Sequence, residues 1–174
     1  MFEHIYQDLF FAVRYLPYSL LVGVPVSAFL VLCTLKRRRC GGKGLKAALS
    51  AAVFGLYLSV MLVITFFSRE SGSRQGVDLE LFSTWGINAR NNALVIENVL
   101  LFIPYGFLAN WAFEWTKRFL GCFLLGAGTS LAIEFSQLVT GRGYFQIDDI
   151  LTNTLGTLIG FCIYLPLRCR KKMK

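Results

Sequence analysis

The chain has little of two features that catalytic or exported proteins often carry. His4 is its only histidine, which argues against a histidine-built metal centre or a histidine general base. Its start also lacks a basic stretch, because Glu3 and Asp8 precede Arg14. A cleavable signal peptide begins with basic residues, so we expect the first apolar run to be retained.

Long apolar runs are what the chain does have. Hydrophobic residues make up 55% of its 174 positions, and the mean hydropathy of +0.56 exceeds what a soluble domain of this size carries. A run of about 20 residues at a rise of 1.5 Å crosses a hydrocarbon core of roughly 30 Å. We predict five such spans, at residues 15–35, 47–67, 94–113, 119–139 and 150–167. The predicted fold is therefore an all-α, polytopic membrane protein, built as a single domain over residues 1–174.

The segment before the first span has a helical period. Its apolar residues recur every three or four positions, and they are Phe2, Ile5, Tyr6, Leu9, Phe10 and Val13. Acidic and polar residues lie between them. This pattern predicts an amino-terminal amphipathic helix that lies at the membrane interface.

A formal net charge of +8 is compatible with a nucleic-acid partner, but the placement of the basic residues favours a membrane orientation over nucleic-acid binding. These residues cluster in the link at 36–46 and in the tail at 168–174, beside predicted spans. Such clusters mark the cytoplasmic side. We predict a multi-pass protein of the cell membrane with the amino terminus outside and the carboxyl terminus in the cytoplasm. The cysteines fit reduced thiols, since all fall in the predicted cytoplasmic half: Cys33, Cys40, Cys122, Cys162 and Cys169.

Polar residues gather near the predicted outer ends of the last three spans, within about two helical turns, or on the order of 10 Å, of the surface. The candidate ligand-binding residues are Glu97, Asn98, Glu134, Gln137, Arg142, Asp148, Asp149 and Asn153. Polar groups in lipid need partners, so a shared site is the first hypothesis. Arg142 is the expected counter-charge to the carboxylates. The alternative is that these residues cap helix ends and bridge helices.

Three further features concern the surroundings of this site. The loop at 68–93 carries apolar residues that either dip into the interface or cover the site: Leu79, Leu81, Phe82 and Trp85. Pro104 is expected to kink the third span and to free a backbone carbonyl. Gly156 and Gly160 have the spacing that brings membrane helices close together.

Several short motifs occur in a characteristic order. They are Glu97-Asn98-Val-Leu-Leu-Phe-Ile-Pro104-Tyr-Gly106, Ser130-x-x-x-Glu134-x-x-Gln137, Arg142, Asp148-Asp149 and Asn153-Thr-x-Gly156. From about Leu79 to Gly160 the chain resembles the VanZ-like family. The resemblance implies a small polytopic membrane protein of Gram-positive bacteria, associated with reduced susceptibility to teicoplanin, a glycopeptide antibiotic with a fatty-acyl tail.

Two principal function classes follow, with a small transporter as a third. In the favoured one, an outer-leaflet site among membrane lipids binds an acyl-tailed lipoglycopeptide or a lipid-linked cell-wall precursor without catalysis or cofactor. In the other, Glu134 and Asp148 or Asp149 form a carboxylate pair that modifies a lipid or precursor, because one of two close carboxyls can stay protonated as an acid. A divalent cation stays possible there, since oxygen ligands suit Mg²⁺ or Ca²⁺. We favour binding because no histidine or nucleophile–base pair lies near the site.

Overall fold

A computed structural model describes residues 2–37, 44–67, 72 and 74–172. Within those residues, five helices are long and apolar enough to cross a membrane, which confirms the predicted multi-pass, helical architecture. The helices are α1 (Phe2–Arg14), α2 (Leu16–Arg37), α3 (Gly44–Leu62), α4 (Ala89–Ala112), α5 (Phe119–Thr140) and α6 (Ile147–Lys172), and the two strands are β1 (Arg74–Asp78) and β2 (Arg142–Gln146). Helix α1 precedes the five spans, and its placement at the membrane interface stays a prediction.

Parts of the sequence-based interpretation lie outside the described residues. These are most of the basic link, at 38–43 with Cys40, and positions 68–71 and 73 of the loop. We refer below to the two ends of the bundle by residues that are described. The site end is where α4 and α6 begin and α5 ends. The basic end is where α5 begins, beside Lys117 and Arg118.

Helix α4 begins five residues earlier than predicted. Asn88 caps it: its backbone is extended and its side-chain oxygen accepts a hydrogen bond from the Asn91 N–H at 2.8 Å, an ordinary N-cap arrangement. The polar residues that follow hide this first turn from a hydropathy-based prediction. Glu97 therefore lies in the third turn of α4 and not in the first turn, where the predicted start of the span at residue 94 would have placed it.

A two-stranded parallel ribbon lies at the site end, where the sequence predicted only a loop at 68–93 and a short connection between the fourth and fifth spans. β1 pairs with β2 in a register that runs from Arg74 beside Arg142 to Asp78 beside Gln146. The sequence of β1, Arg-Gln-Gly-Val-Asp, has no alternating apolar pattern and so gave no strand signal. The ribbon ties the long loop to the connection between α5 and α6.

Helices α4 and α6 pack closely against each other through two glycines of α6. A Cβ atom added to Gly156 would overlap the Val99 carbonyl, and one added to Gly160 would overlap the Ile103 carbonyl. The two helices run side by side in the same direction, with backbone against backbone, as the glycine spacing predicted. Next to this contact lies an apolar core that includes Phe102.

Pro104 lies inside α4, and the helix continues through it. The Tyr57 hydroxyl of α3 donates a hydrogen bond of 2.6 Å to the Leu101 carbonyl. That carbonyl is next to the Leu100 carbonyl, whose usual donor the proline removes. The neighbouring helix thus supplies a donor to the turn beside the proline, and that donor binds the Leu101 carbonyl and not the carbonyl that the proline frees.

Candidate functional site

Glu134 lies near the end of α5 and is only 2% exposed. Its Oε2 atom accepts a hydrogen bond of 3.1 Å from the backbone N–H of Gln146, the last residue of β2. A buried carboxylate requires donors of this kind. Glu134 therefore connects the helix to the ribbon beside it.

Gln137 and Arg142 both bind the turn of π-helix at Val63–Phe67 that follows α3. The Gln137 Nε2 atom donates to the Thr65 carbonyl at 2.7 Å. The Arg142 Nη1 atom donates to the Phe66 carbonyl at 3.1 Å, and its guanidinium carbon lies 4.8 Å from the centre of the Phe66 ring. Such turns occur frequently at functional sites, and this one brings α3 to the candidate site.

Asp148, in the first turn of α6, holds the loop that follows β1. Its Oδ1 atom accepts from the Phe82 N–H at 2.7 Å, and its Oδ2 atom accepts from the Thr84 N–H at 3.0 Å. The side chain is 5% exposed. Both carboxylate oxygens thus fix a non-helical segment directly above the helix start.

Asp149 lies at the start of α6, and Asn153 lies one turn further along the helix. The Asn153 Nδ2 atom donates to the Ser130 hydroxyl at 2.8 Å, and that hydroxyl lies 3.4 Å from the Asp149 carbonyl, to which it donates. Among the described residues, the buried Oδ1 atom of Asn153 has no hydrogen-bond donor. A buried amide oxygen of this kind is suited to accept a hydrogen bond from a ligand or water.

Glu97 and Asn98 contribute from α4, where both are half-buried. The Oε1 atom of Glu97 is itself buried. Since Val99 lies against Gly156, Glu97 is about half a turn closer to the site end than that contact. The structure thus brings residues from α4, α5, β2 and α6 to one end of the bundle, and their joint binding of a ligand stays a prediction.

Sequence reasoning missed a turn in the loop that the carboxylate of Asp78 stabilises. The Asp78 Oδ2 atom accepts from the Ser83 hydroxyl at 2.7 Å, and its Oδ1 atom accepts from the Glu80 N–H at 3.0 Å. The Ser83 hydroxyl and then the Glu80 N–H stabilise the charged form and lower the pKa of Asp78 below its ordinary value. Asp side chains often bond the backbone N–H two residues further along the chain and so form a turn. Asp78 in the sequence was therefore a signal for this turn.

The site combines carboxylate acceptors with amide and guanidinium donors. Within the described part of the chain, no three His, Cys, Asp or Glu residues are grouped so that they could hold a metal ion. Both carboxylate oxygens of Asp148 and the Oε2 atom of Glu134 accept hydrogen bonds from backbone N–H groups. The proposed divalent cation therefore has no further observation behind it and stays a prediction.

Five apolar helices with a buried polar cluster at one end define a class of protein, a multi-pass membrane protein. Comparison with known proteins gives the family. The VanZ/LLP1 family model matches residues 54–168, so the chain belongs to that family. It is similar to Protein VanZ of Enterococcus faecium, with 29% identity over 123 residues, covering 67% of this chain and 73% of that protein. No solved structure matches the chain.

Proposed function

We propose that this membrane protein lowers susceptibility to lipoglycopeptide antibiotics such as teicoplanin by binding an acyl-tailed molecule at the site end. The ligand is the drug itself or a lipid-linked cell-wall precursor. Family membership supports the resistance role, since the chain belongs to the VanZ/LLP1 family and is similar to Protein VanZ.

One observation supports binding of an amphiphile in particular. Asp148, which is 5% exposed, bonds the backbone of Phe82, which is 72% exposed. The buried side chains of Glu134 and Gln137 lie at the same end of the bundle. A polar head group needs hydrogen-bonding partners, and an acyl chain gains about 0.8 kcal/mol per buried CH₂. Both requirements are met within one small region.

The roles of the carboxylates also support binding over chemistry. Asp148 uses both oxygens to hold the loop, and Glu134 uses one oxygen to hold the ribbon. A general acid or base instead needs an oxygen within hydrogen-bond reach of the reacting proton. Positioning a non-helical segment around a ligand requires only the hydrogen bonds that these oxygens make to backbone N–H groups.

The experiment measures the inhibitory concentrations of teicoplanin and of vancomycin, which lacks the tail, for cells with and without the protein. Mass spectrometry of the cell-wall precursors is done on the same cells. Tail capture predicts protection against teicoplanin that largely disappears for vancomycin. Glu134→Gln should abolish it at equal expression. Glu114→Gln is the matched control, because that carboxylate pairs with Lys117 at the basic end and should change nothing.

Two outcomes would contradict the proposal. Equal protection against both drugs would indicate a change in their shared target. A modified precursor that disappears with Glu134→Gln would establish the enzyme alternative.

A further inference from the structure

The segment at residues 77–87, between β1 and α4, has its apolar side chains on the outside. We call it the apolar loop. Its large hydrophobic residues are each more than half exposed, and they are Val77, Leu79, Leu81, Phe82, Trp85 and Ile87. Among its charged residues, Glu80 is exposed as well. A contiguous apolar surface of this kind marks an interaction site.

The polar groups of the apolar loop are bonded from within the protein. Asp148 accepts from the N–H groups of Phe82 and Thr84. The Asn92 Oδ1 atom accepts from the Gly86 N–H at 2.7 Å. A loop in water ordinarily has the reverse arrangement, with its backbone and polar side chains solvated. The inverted arrangement suits a backbone that lies where water is scarce.

Phe82 adds a second observation. Its φ of +63° lies in the left-handed region, which is uncommon for a bulky residue and costs roughly 1 to 2 kcal/mol. Asp148 holds this conformation through the Phe82 N–H at 2.7 Å, and the ring is 72% exposed. The protein thus fixes a strained backbone to direct a phenyl ring away from itself.

The position of the apolar loop indicates what covers it. The loop ends two residues before α4 begins at Ala89, and Asp148, which it contacts, is in the first turn of α6. It therefore lies at the level where two spans leave the hydrocarbon core. Trp is enriched at this depth, and Trp, Phe and Leu form the apolar faces of segments that bind the boundary between head groups and acyl chains.

We propose that the apolar loop is seated in the lipid leaflet at the site end, at the boundary between head groups and acyl chains. Asp148 acts as a positioning residue that holds the loop against the first turn of α6. The loop then places the polar cluster next to the acyl chains, so that an amphiphile can reach it sideways from the membrane. Lipid contact does not depend on the proposed drug binding.

The test uses the full chain in phosphatidylcholine liposomes, with Trp111→Phe and Trp115→Phe leaving Trp85 as the single tryptophan. Lipids brominated near the head-group end of the chain should remove most of the Trp85 fluorescence. Lipids brominated near the chain terminus and aqueous iodide should quench it weakly. Asp148→Asn should shift quenching from lipid to iodide, whereas Glu80→Gln should leave it unchanged.

The opposite results overturn the proposal. Quenching by iodide and not by brominated lipid would place the loop in water. Quenching by neither would indicate a protein cover. If the double variant does not fold, a nitroxide at Trp85→Cys in a chain otherwise free of cysteine gives the same reading through its collisions with oxygen and with a water-soluble nickel complex. No drug is present, so this result is independent of resistance.

Discussion

At the site end, buried carboxylates accept hydrogen bonds from backbone N–H groups of other elements, whereas at the basic end buried uncharged groups donate mainly to nearby carbonyls. The Asn110 Nδ2 atom donates to the Gly106 carbonyl at 2.6 Å and to the Cys122 sulfur at 3.3 Å. The Thr116 hydroxyl donates to the carbonyls of Ala109 and Phe113, both at 2.9 Å. We call these three residues, Asn110, Thr116 and Cys122, the basic-end cluster.

The difference separates two uses of buried polarity. The basic-end cluster adds side-chain donors to carbonyls near the end of α4, such as that of Ala109, which already accepts from the Phe113 N–H. At the site end, Glu134 and Asp148 hold non-helical segments instead. Charge is costly to bury and an amide or hydroxyl would suffice for capping. Burial alone therefore does not identify a functional site, and charge that fixes irregular backbone is the better indicator.

The largest expected effect concerns charge at the site end. If Glu134, Arg142 and Asp149 form one desolvated unit, Glu134→Gln, Arg142→Ala and Asp149→Asn should each lower the free energy of unfolding by about 3 to 5 kcal/mol. Their effects should be non-additive when combined. Unfolding in mixed detergent micelles measures this.

The matched control is Glu114→Ala, which breaks the 2.6 Å pair between Lys117 and Glu114 at the basic end and removes a side chain that is 71% exposed. A pair that is open to solvent on one side is worth about 0 to 1 kcal/mol. Small, additive effects at both ends would remove the contrast and leave capping as the role of the site residues.

The next largest effect concerns the packing of α6 against α4. Gly160→Ala should lower the free energy of unfolding by about 1 to 3 kcal/mol or more, because its Cβ would overlap the Ile103 carbonyl. Gly128→Ala is the control, since nothing lies within 4 Å of a Cβ there. Thermal unfolding of the two purified variants compares them, and equal stability would contradict the backbone contact.

A smaller effect is expected at the basic end. Asn110→Leu loses two hydrogen bonds but removes a buried Oδ1 atom that has no donor among the described residues. These terms oppose each other, so the change in unfolding free energy should stay within about 1.5 kcal/mol. Drug susceptibility at equal expression should not change. Lost protection in a stable variant would assign function to the basic end too.

The smallest effect is the pH response of the apolar loop. The pKa of Asp78 in the folded protein is lowered from 3.8 by the hydrogen bonds of Ser83 and Glu80. The charged Asp78 therefore stabilises the turn fully at a pH above its ordinary pKa. This stabilisation is lost as the pH falls through the lowered pKa of the folded protein. Trp85 quenching should be constant from neutral pH to about pH 4 and change below it. Asp78→Asn should remove the change, and a transition nearer pH 6 would contradict this assignment.

The sequence predicted the spans well because about 20 apolar residues are needed to cross a membrane, and composition records this directly. It also gathered Glu134 and Gln137 on one face through helical spacing. It missed the carbonyls of Thr65 and Phe66, because every residue has a carbonyl and only the π-helical turn exposes these two. The buried role of Asn110 was missed because a single amide in an apolar run has no second polar residue at helical spacing to indicate a shared face.

The contact between α4 and α6 also has a consequence for biosynthesis. Gly156 and Gly160 bind against carbonyls of a helix that is made much earlier, so α4 must wait in the membrane for its main partner while α5 is synthesised and inserted. At ordinary translation rates the delay is on the order of several seconds. During that interval α4 has α3 as a neighbour, through the hydrogen bond from Tyr57 to the Leu101 carbonyl. The backbone surface of α4 that later receives the two glycines therefore stays uncovered by α6 until the last span is inserted.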